Sequence, residues 1–237
     1  MLIKNVYNQN IVFSGDLMRI RKKKWAQPEL DACNFFIQKP EELKGNWQKS
    51  FANDNPIELE VGCGKGTFVA KKALTNPSVN FIAVDIKSDM LGVARRNIVN
   101  LFEQEGKECS NIRLTAYNVD KITNILSPED KVSRIYINFC NPWPRGKHNK
   151  RRLTHPTKLA LYKELLVPGG EIRFKTDNDE LFEASLEYFA ECGFEITYTT
   201  YDLHKSDVKD NIVTEHEKMF SDEGLLIKYL TARYHGN

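Results

Sequence analysis

From Pro56 onward, short apolar runs alternate with longer segments in which apolar residues recur every three to four positions. The short runs are IELEV (57–61), FIAVD (81–85), IRLTAY (112–117), RIYINF (134–139), EIRFK (171–175), FEITYTTY (194–201) and LLIKYLTARY (225–234). Helical spacing follows from about Thr67, from Ser88 to about Glu105, briefly after the third run, from Thr157 to Leu166, and from Asp179 to Ala190. Strand and helix in this alternation predict an α/β fold, a doubly wound, mainly parallel seven-stranded sheet with helices on both faces. Only a polar stretch, about 203–223, separates the last two runs, so the sheet is expected to end on an antiparallel strand. Pro168-Gly169-Gly170 predicts a tight turn before the fifth strand. Residues 1 to about 54 mix basic, aromatic and polar side chains without sustained period. They predict an arm with short helices packed on a core domain of residues 55–237.

Composition narrows the class. A chain of 237 residues is long enough for one self-sufficient domain. With 41% hydrophobic and 28% charged residues, and no apolar run of membrane-spanning length, a membrane protein is not expected. The first ten residues lack the apolar core of a secretory signal, and the five cysteines are odd in number and scattered, which fits a reducing cytoplasm. No CxxC occurs, and His216-Glu217-Lys218-Met219-Phe220 lacks a second histidine, so no metal is expected. Nothing in the sequence calls for an obligate protein partner.

Net charge is only +2, but it is concentrated in RIRKKK (19–24), followed by Trp25, and in RGKHNKRR (145–152). Either run alone is an ordinary solvated face. Two in one chain, one beside a candidate active-site turn, suit a polyanion.

ELEVGCGKGTF places Gly62, Gly64 and Gly66 between the first strand and its helix, where backbone without side chains can turn sharply against a ligand. The spacing is GxGxG, because position 67 is a threonine, so the dinucleotide fingerprint GxGxxG is not met. Glu60 in the preceding strand would repel a pyrophosphate. It suits a cationic, nucleotide-like ligand such as S-adenosylmethionine, with its ammonium and sulfonium. Asp85 closes the second strand, the usual position of an acid that accepts ribose hydroxyls. Asn118 is a candidate for the adenine, with Asp120 as rival and helix capping as the other use of either.

In open α/β sheets, ligands lie beyond the carboxyl ends of the strands. Asn141-Pro142-Trp143-Pro144 leaves that end of the fourth strand and should face the cofactor. The prolines stiffen the turn and remove donors. Trp143 is then either an aimed ring or part of the core.

Taken together, GxGKG after a Glu-ending strand, NPWP flanked by NF and KRRL, FKTDN (174–178), NIVTEHE (211–217) and RIRKKKWA (19–26) resemble the bacterial tRNA (guanine-N7)-methyltransferases over nearly the whole chain. The resemblance implies a class I methyltransferase (Rossmann-like) fold and S-adenosylmethionine as donor. It implies tRNA as substrate, at N7 of a variable-loop guanine (position 46). Glu60, Asp85 and Asn118, with the glycine loop, then serve the cofactor. Arg145, Asp177 and the segment Thr214, Glu215 to Glu217 serve the substrate. Asn141 is a departure, since the family usually has an aspartate, with a catalytic or binding role, at this position.

Guanine N7 carries a lone pair and no proton at neutral pH, so attack on a sulfonium methyl needs no general base, and alignment can carry the reaction. Asn141 keeps the polar contacts of an aspartate but not its charge. Asp177 precedes a helix and is also a candidate N-cap, and Thr214-Glu215-His216-Glu217 also matches a capping box. Arg21 to Lys24 and Lys147 to Arg152 are candidates for phosphate contacts, with Trp25 as a stacking platform. Two rival readings remain. One is an amino-group (adenine N6-type) methyltransferase, whose Asn-Pro-Pro-aromatic order this turn does not match. The other is a non-catalytic RNA-binding relative.

Overall fold

The computed structural model describes residues 23–236. Its centre is an eight-stranded sheet in the order β1-β4-β3-β2-β5-β6-β8-β7. The strands are β1 (Phe36–Ile37), β2 (Ile57–Val61), β3 (Asn80–Asp85), β4 (Ile112–Ala116), β5 (Val132–Asn138), β6 (Leu166–Thr176), β7 (Glu195–Thr200) and β8 (Lys228–Arg233). The helices are α1 (Ala26–Asp31), α2 (Thr67–Thr75), α3 (Ser88–Gln104), α4 (Pro156–Leu165), α5 (Asp179–Glu191) and α6 (Glu215–Asp222). All neighbours from β1 to β6 pair in parallel, whereas β8 is antiparallel to both β6 and β7. The order reverses at β2 and β5, and this switch point opens a crevice at the carboxyl ends of the strands.

Period-two alternation gives the two faces different cores. Ile57, Leu59 and Val61 of β2, Ile135 and Ile137 of β5, and Ile172 and Phe174 of β6 join one cluster with Leu159 and Tyr162 of α4 and Phe182 and Phe189 of α5. On the other face, Phe81 and Ala83 pack with Phe68 and Val69 of α2, Leu91 and Ile98 of α3, and Leu30 of α1. Along β2, β5 and β6 this second face is polar. Tyr136 and Arg134 both donate to the Glu58 carboxylate, Arg134 and Arg173 share Glu171, and Arg173 reaches Asp210 beyond the sheet. Buried polar groups persist where partners satisfy them, and here segment 203–222 supplies the missing partners.

Two expectations change. An eighth strand, β1, comes from the amino-terminal segment. It is only two residues long and docks beside β4 (Phe36 opposite Leu114), too short to show a period. Pro168-Gly169-Gly170 is a bulge within β6 rather than a turn before it. Gly169, at φ +82°, donates its N–H to Tyr234 O at 2.7 Å, and Tyr234 N–H returns to Gly170 O at 2.8 Å, so the chain stays paired through the kink. The polar stretch before β8 contains a helix, α6, capped by Thr214. In the described part of the arm, Trp47 is fully buried and its indole N–H donates to Ile125 O. Trp25 is half-buried, and the Arg96 guanidinium covers one face of its ring at 3.5 Å from the centroid. Of the first basic run, Arg19, Ile20, Arg21 and Lys22 lie outside the described residues.

Candidate active site

The glycine turn is held by β3. Gly62 and Cys63 both donate N–H to Val84 O, and Gly64 N–H donates to Asp85 Oδ2 at 2.9 Å. Asp85 Oδ1 accepts from Lys87 N–H at 2.9 Å, so this carboxylate fastens the turn from the neighbouring strand. All three glycines have positive φ, but their surroundings differ. A Cβ on Gly66 would lie 2.7 Å from Ala94 Cβ, so that glycine lets α2 approach α3. A Cβ on Gly64 would meet nothing within 4 Å, so that glycine faces open space.

Glu60, the last residue but one of β2, is 3% exposed. Asn138 of β5 donates from Nδ2 to Glu60 Oε1 at 3.1 Å, whereas Glu60 Oε2 is buried with no hydrogen-bonding partner among the described residues. Burial pushes the Glu60 carboxyl up to about 8, and neighbouring Asp85 adds to this, while Asn138, Lys175 and, more weakly, the backbone N–H of Val69 work in the opposite direction. A buried carboxylate oxygen without a donor fits a cation arriving from outside. That is the chemistry of the ammonium of S-adenosylmethionine, and the open face of Gly64 leaves backbone room for such a ligand.

A cavity of about 140 Å³ joins these parts. Glu60, Gly62, Gly64, Thr214 and Glu215 line it together, with Lys65, Phe68, Asn138, Phe139 and His216. Thr214 caps α6, accepting the Glu217 N–H at 3.1 Å, and Glu215 pairs with Lys65 across the mouth at 2.7 Å. Half of the expected capping box therefore forms. The Glu217 side chain does not return to the cap. It is fully buried, with Oε2 on Lys175 at 2.6 Å and Oε1 accepting from Asn211 at 2.6 Å and facing His204 at 2.9 Å. Burial by itself raises its carboxyl, but the Lys175 ammonium beside it holds it below the usual carboxylate value.

The other candidates, Asp85, Gly66, Asn118, Asn141, Arg145, Asp177 and Glu217, are not in the wall of this cavity. Asn141 Oδ1 accepts the Trp143 N–H at 3.0 Å, an Asx turn that leaves the exposed side chain presenting its amide donors. Trp143, at φ +45°, is half-buried, with Arg151 over its ring at 5.0 Å and His148 at its edge, so it is not a core residue. Arg145 is exposed where the following 3-10 turn begins. Asp177 follows β6. The cap of α5 is its neighbour Asn178, accepting Leu181 N–H at 2.8 Å, and the Asp177 carboxylate has no partner among the described residues. Asn118 caps the turn after β4 by accepting Asp120 N–H, and Asp120 pairs with Lys158.

Two groups were not legible as site residues. Asn138 and Lys175 lie on the polar face of β5 and β6, and the alternation of RIYINF and EIRFK marks that face without saying what it meets. Arg152 departs from its expected place among the phosphate-contacting residues. It is 1% exposed, donating to Pro142 O at 2.8 Å and to Glu180 at 2.6 Å, and so supports the proline turn from inside. A charge run does not show which member turns inward.

Among the described residues no helix is long and apolar enough to cross a membrane, and no group of three His, Cys, Asp or Glu side chains could hold a metal. The sheet order, with a glycine turn and two carboxylates at its switch point, is that of the class I methyltransferases. Solved structures share it. A 16S rRNA methyltransferase, KamB, superposes with a TM-score of 0.56 at 15% identity, over 80% of this chain and 93% of that one. A 16S rRNA (adenine(1408)-N(1))-methyltransferase from Catenulisporales acidiphilia, solved with cosubstrate SAM, gives 0.55 at 12%, over 83% and 91%. At that identity the likeness concerns fold alone.

Sequence relatives are more specific. A family model described as "Putative methyltransferase" matches residues 54–230. A tRNA (guanine-N(7)-)-methyltransferase of Clostridium beijerinckii is 59% identical over 91% of this chain and 98% of its own, and one of Acetivibrio thermocellus is 52% identical over 91% and 99%. The chain belongs to the tRNA (guanine-N(7)-)-methyltransferase family.

Proposed function

We propose that the protein transfers the methyl group of S-adenosylmethionine to N7 of a guanine in tRNA, at position 46 of the variable loop. The observation that carries this reading is the unpartnered Glu60 Oε2, in a cavity walled on its far side by the start of α6. When bound, S-adenosylmethionine supplies an activated methyl on a sulfonium.

The chain's own groups bind and align. Glu60 Oε2 accepts the donor's ammonium, Asp85 its ribose hydroxyls, and Asn118 its adenine. Gly62, Gly64 and Gly66 give the turn its shape, and the open face of Gly64 leaves room at the backbone. On the substrate side, Asn141 offers donors to guanine O6, which lies beside N7 on the same edge. Asp177 and Glu215 offer carboxylates to N1–H and N2–H, Thr214 and buried Glu217 hold the segment that presents Glu215, and Arg145 meets a phosphate. No proton needs to be removed, because N7 attacks through its lone pair, the carbon–sulfur bond breaks toward sulfur, and the positive charge passes to the methylated ring. Catalysis therefore rests on alignment.

The test is incubation of the purified protein with labelled methyl donor and unmodified tRNA, followed by mapping. Label is expected on one variable-loop guanine, as an alkali-labile N7-methylguanine. Label on an adenine amine, or none, overturns the reading.

A further inference from the structure

Lys175 is buried at 2% exposure, in a part of the sheet to which the proposed roles assign nothing. It touches three pieces of the site. Its ammonium lies 2.6 Å from Glu217 Oε2 and donates to Ile212 O at 2.8 Å and Asn211 Oδ1 at 3.0 Å, so it holds the segment leading into α6. Its backbone carbonyl accepts the N–H of Phe139 at 2.9 Å, where the chain leaves β5 at φ +50° for the Asn141 turn. Its Nζ stands 5.6 Å from the Phe68 ring and 5.7 Å from the Phe139 ring, both in the wall of the donor cavity. Phe139, at the root of the proline turn, also lines the cavity and packs against His216 and Phe220 of α6, so the Lys175 ammonium holds the polar side of a junction whose apolar side is Phe139.

We propose that Lys175 is a positioning residue for methyl transfer, a buried cation that sets the substrate-side segment 211–217 at a fixed distance from the donor cavity. The inference rests on the function proposed above. It goes beyond it in assigning the alignment to a residue that touches neither ligand. Burial depresses the Lys175 ammonium from its ordinary value and Glu217 counteracts this, so the pair stands or falls together. Removing one partner alone leaves a buried charge without compensation.

The reaction depends on placing a ring nitrogen against a methyl carbon, and a displacement of about 1 Å can cost on the order of a hundredfold in rate. Lys175 acting through Glu217 should therefore be read in kcat at saturating donor and tRNA, with only a small change in the donor's dissociation constant.

The experiment compares wild type, Lys175→Met, Glu217→Gln and the double variant, all below their melting temperatures. Methyl transfer to unmodified tRNA is measured, with calorimetric binding of S-adenosylhomocysteine as the donor-site probe. The expected result is a loss in kcat of about a hundredfold in each single variant, no further loss in the double, and a dissociation constant within about tenfold of wild type. The double variant leaves no buried charge unpaired, and it keeps the test decisive if Lys175→Met alone does not fold. Wild-type kcat in a folded Lys175→Met or in the double variant overturns the inference, as do losses that multiply. A wild type that methylates no tRNA guanine fails the proposed function instead, which is a separate result.

Discussion

Asn138 donates to one oxygen of Glu60 at 3.1 Å and so leaves the other, Oε2, buried and without a donor. The side chain is thus half-satisfied by its own sheet, and the proposed donor ammonium would meet the other half. Burial raises its carboxyl to about 8, which makes the empty site neutral near pH 7 and the occupied one charged.

The first prediction concerns protons. Donor binding should release a proton at about pH 6.5, because Glu60 must ionise to meet the ammonium, and Glu60→Gln should release none while binding roughly 10- to 100-fold more weakly. Calorimetry in buffers of different ionisation heat reads this directly. An equal proton count in both proteins would remove Glu60 from the donor site.

The same group predicts a stability trend. A carboxyl raised on folding contributes stability that is complete below its unfolded value, about 4.5, and is lost as pH rises through about 8. Donor-free wild type should therefore lose ground to Glu60→Gln as pH increases across this window, by about 1.4 kcal/mol per unit at most. Melting curves at a series of pH values test the sign.

At the turn, Asn141→Asp preserves the acceptor that caps Trp143 N–H and adds a charge beside the ring that becomes cationic. Turnover should stay equal or rise several-fold, whereas Asn141→Ala should lose about tenfold. Single-turnover methylation of tRNA measures both, and a dead wild type revived by aspartate would contradict an alignment-based mechanism.

Two glycines of one turn should fail differently. Gly66→Ala drives a Cβ to 2.7 Å from Ala94 in a left-handed backbone, so about 2 to 4 kcal/mol of stability should disappear. Gly64→Ala has free space around its Cβ and carries only the conformational cost, about 1 to 2 kcal/mol. Its main deficit should be donor affinity. Chemical denaturation beside calorimetry separates the two.

The second basic run should divide in the same manner. If Lys147 and Lys150 meet phosphates, Lys147→Ala and Lys150→Ala each ought to lower the salt dependence of tRNA binding by somewhat under one unit of slope. Arg152→Met should leave that slope unchanged and lower the melting temperature, because its guanidinium supports Pro142 O and pairs with Glu180 inside the fold. A salt titration of affinity alongside thermal melts would show the division.

Much of the proposed donor half could be assembled from the chain because it is local. The GxGxG turn lies between a strand and a helix, and Glu60 and Asp85 stand near the carboxyl ends of adjacent parallel strands. β2, β5 and β6 each alternate polar with apolar residues, so a polar face was already written into IELEV, RIYINF and EIRFK. The substrate half was legible mainly through motif resemblance. Its members come from loops after β5 and β6 and from the cap of α6, with no shared periodicity to link them.

Strand order and register decided the rest. Periodicity tells on which face a side chain stands, but its partner depends on which strand lies alongside, and that is set by contacts far apart in sequence. Glu60 meets Asn138 because β5 runs beside β2, and Lys175 meets Glu217, 42 residues further on, because α6 closes over β6. Arg152 turns inward from a run of otherwise similar charges because the proline turn above it needs donors for its carbonyls. The two-residue β1 becomes a strand only because β4 offers it an edge. Short-range pattern thus specified the elements and their polar faces, and the packing of distant segments specified which buried charges neutralise one another and which oxygen, that of Glu60, was left without a donor.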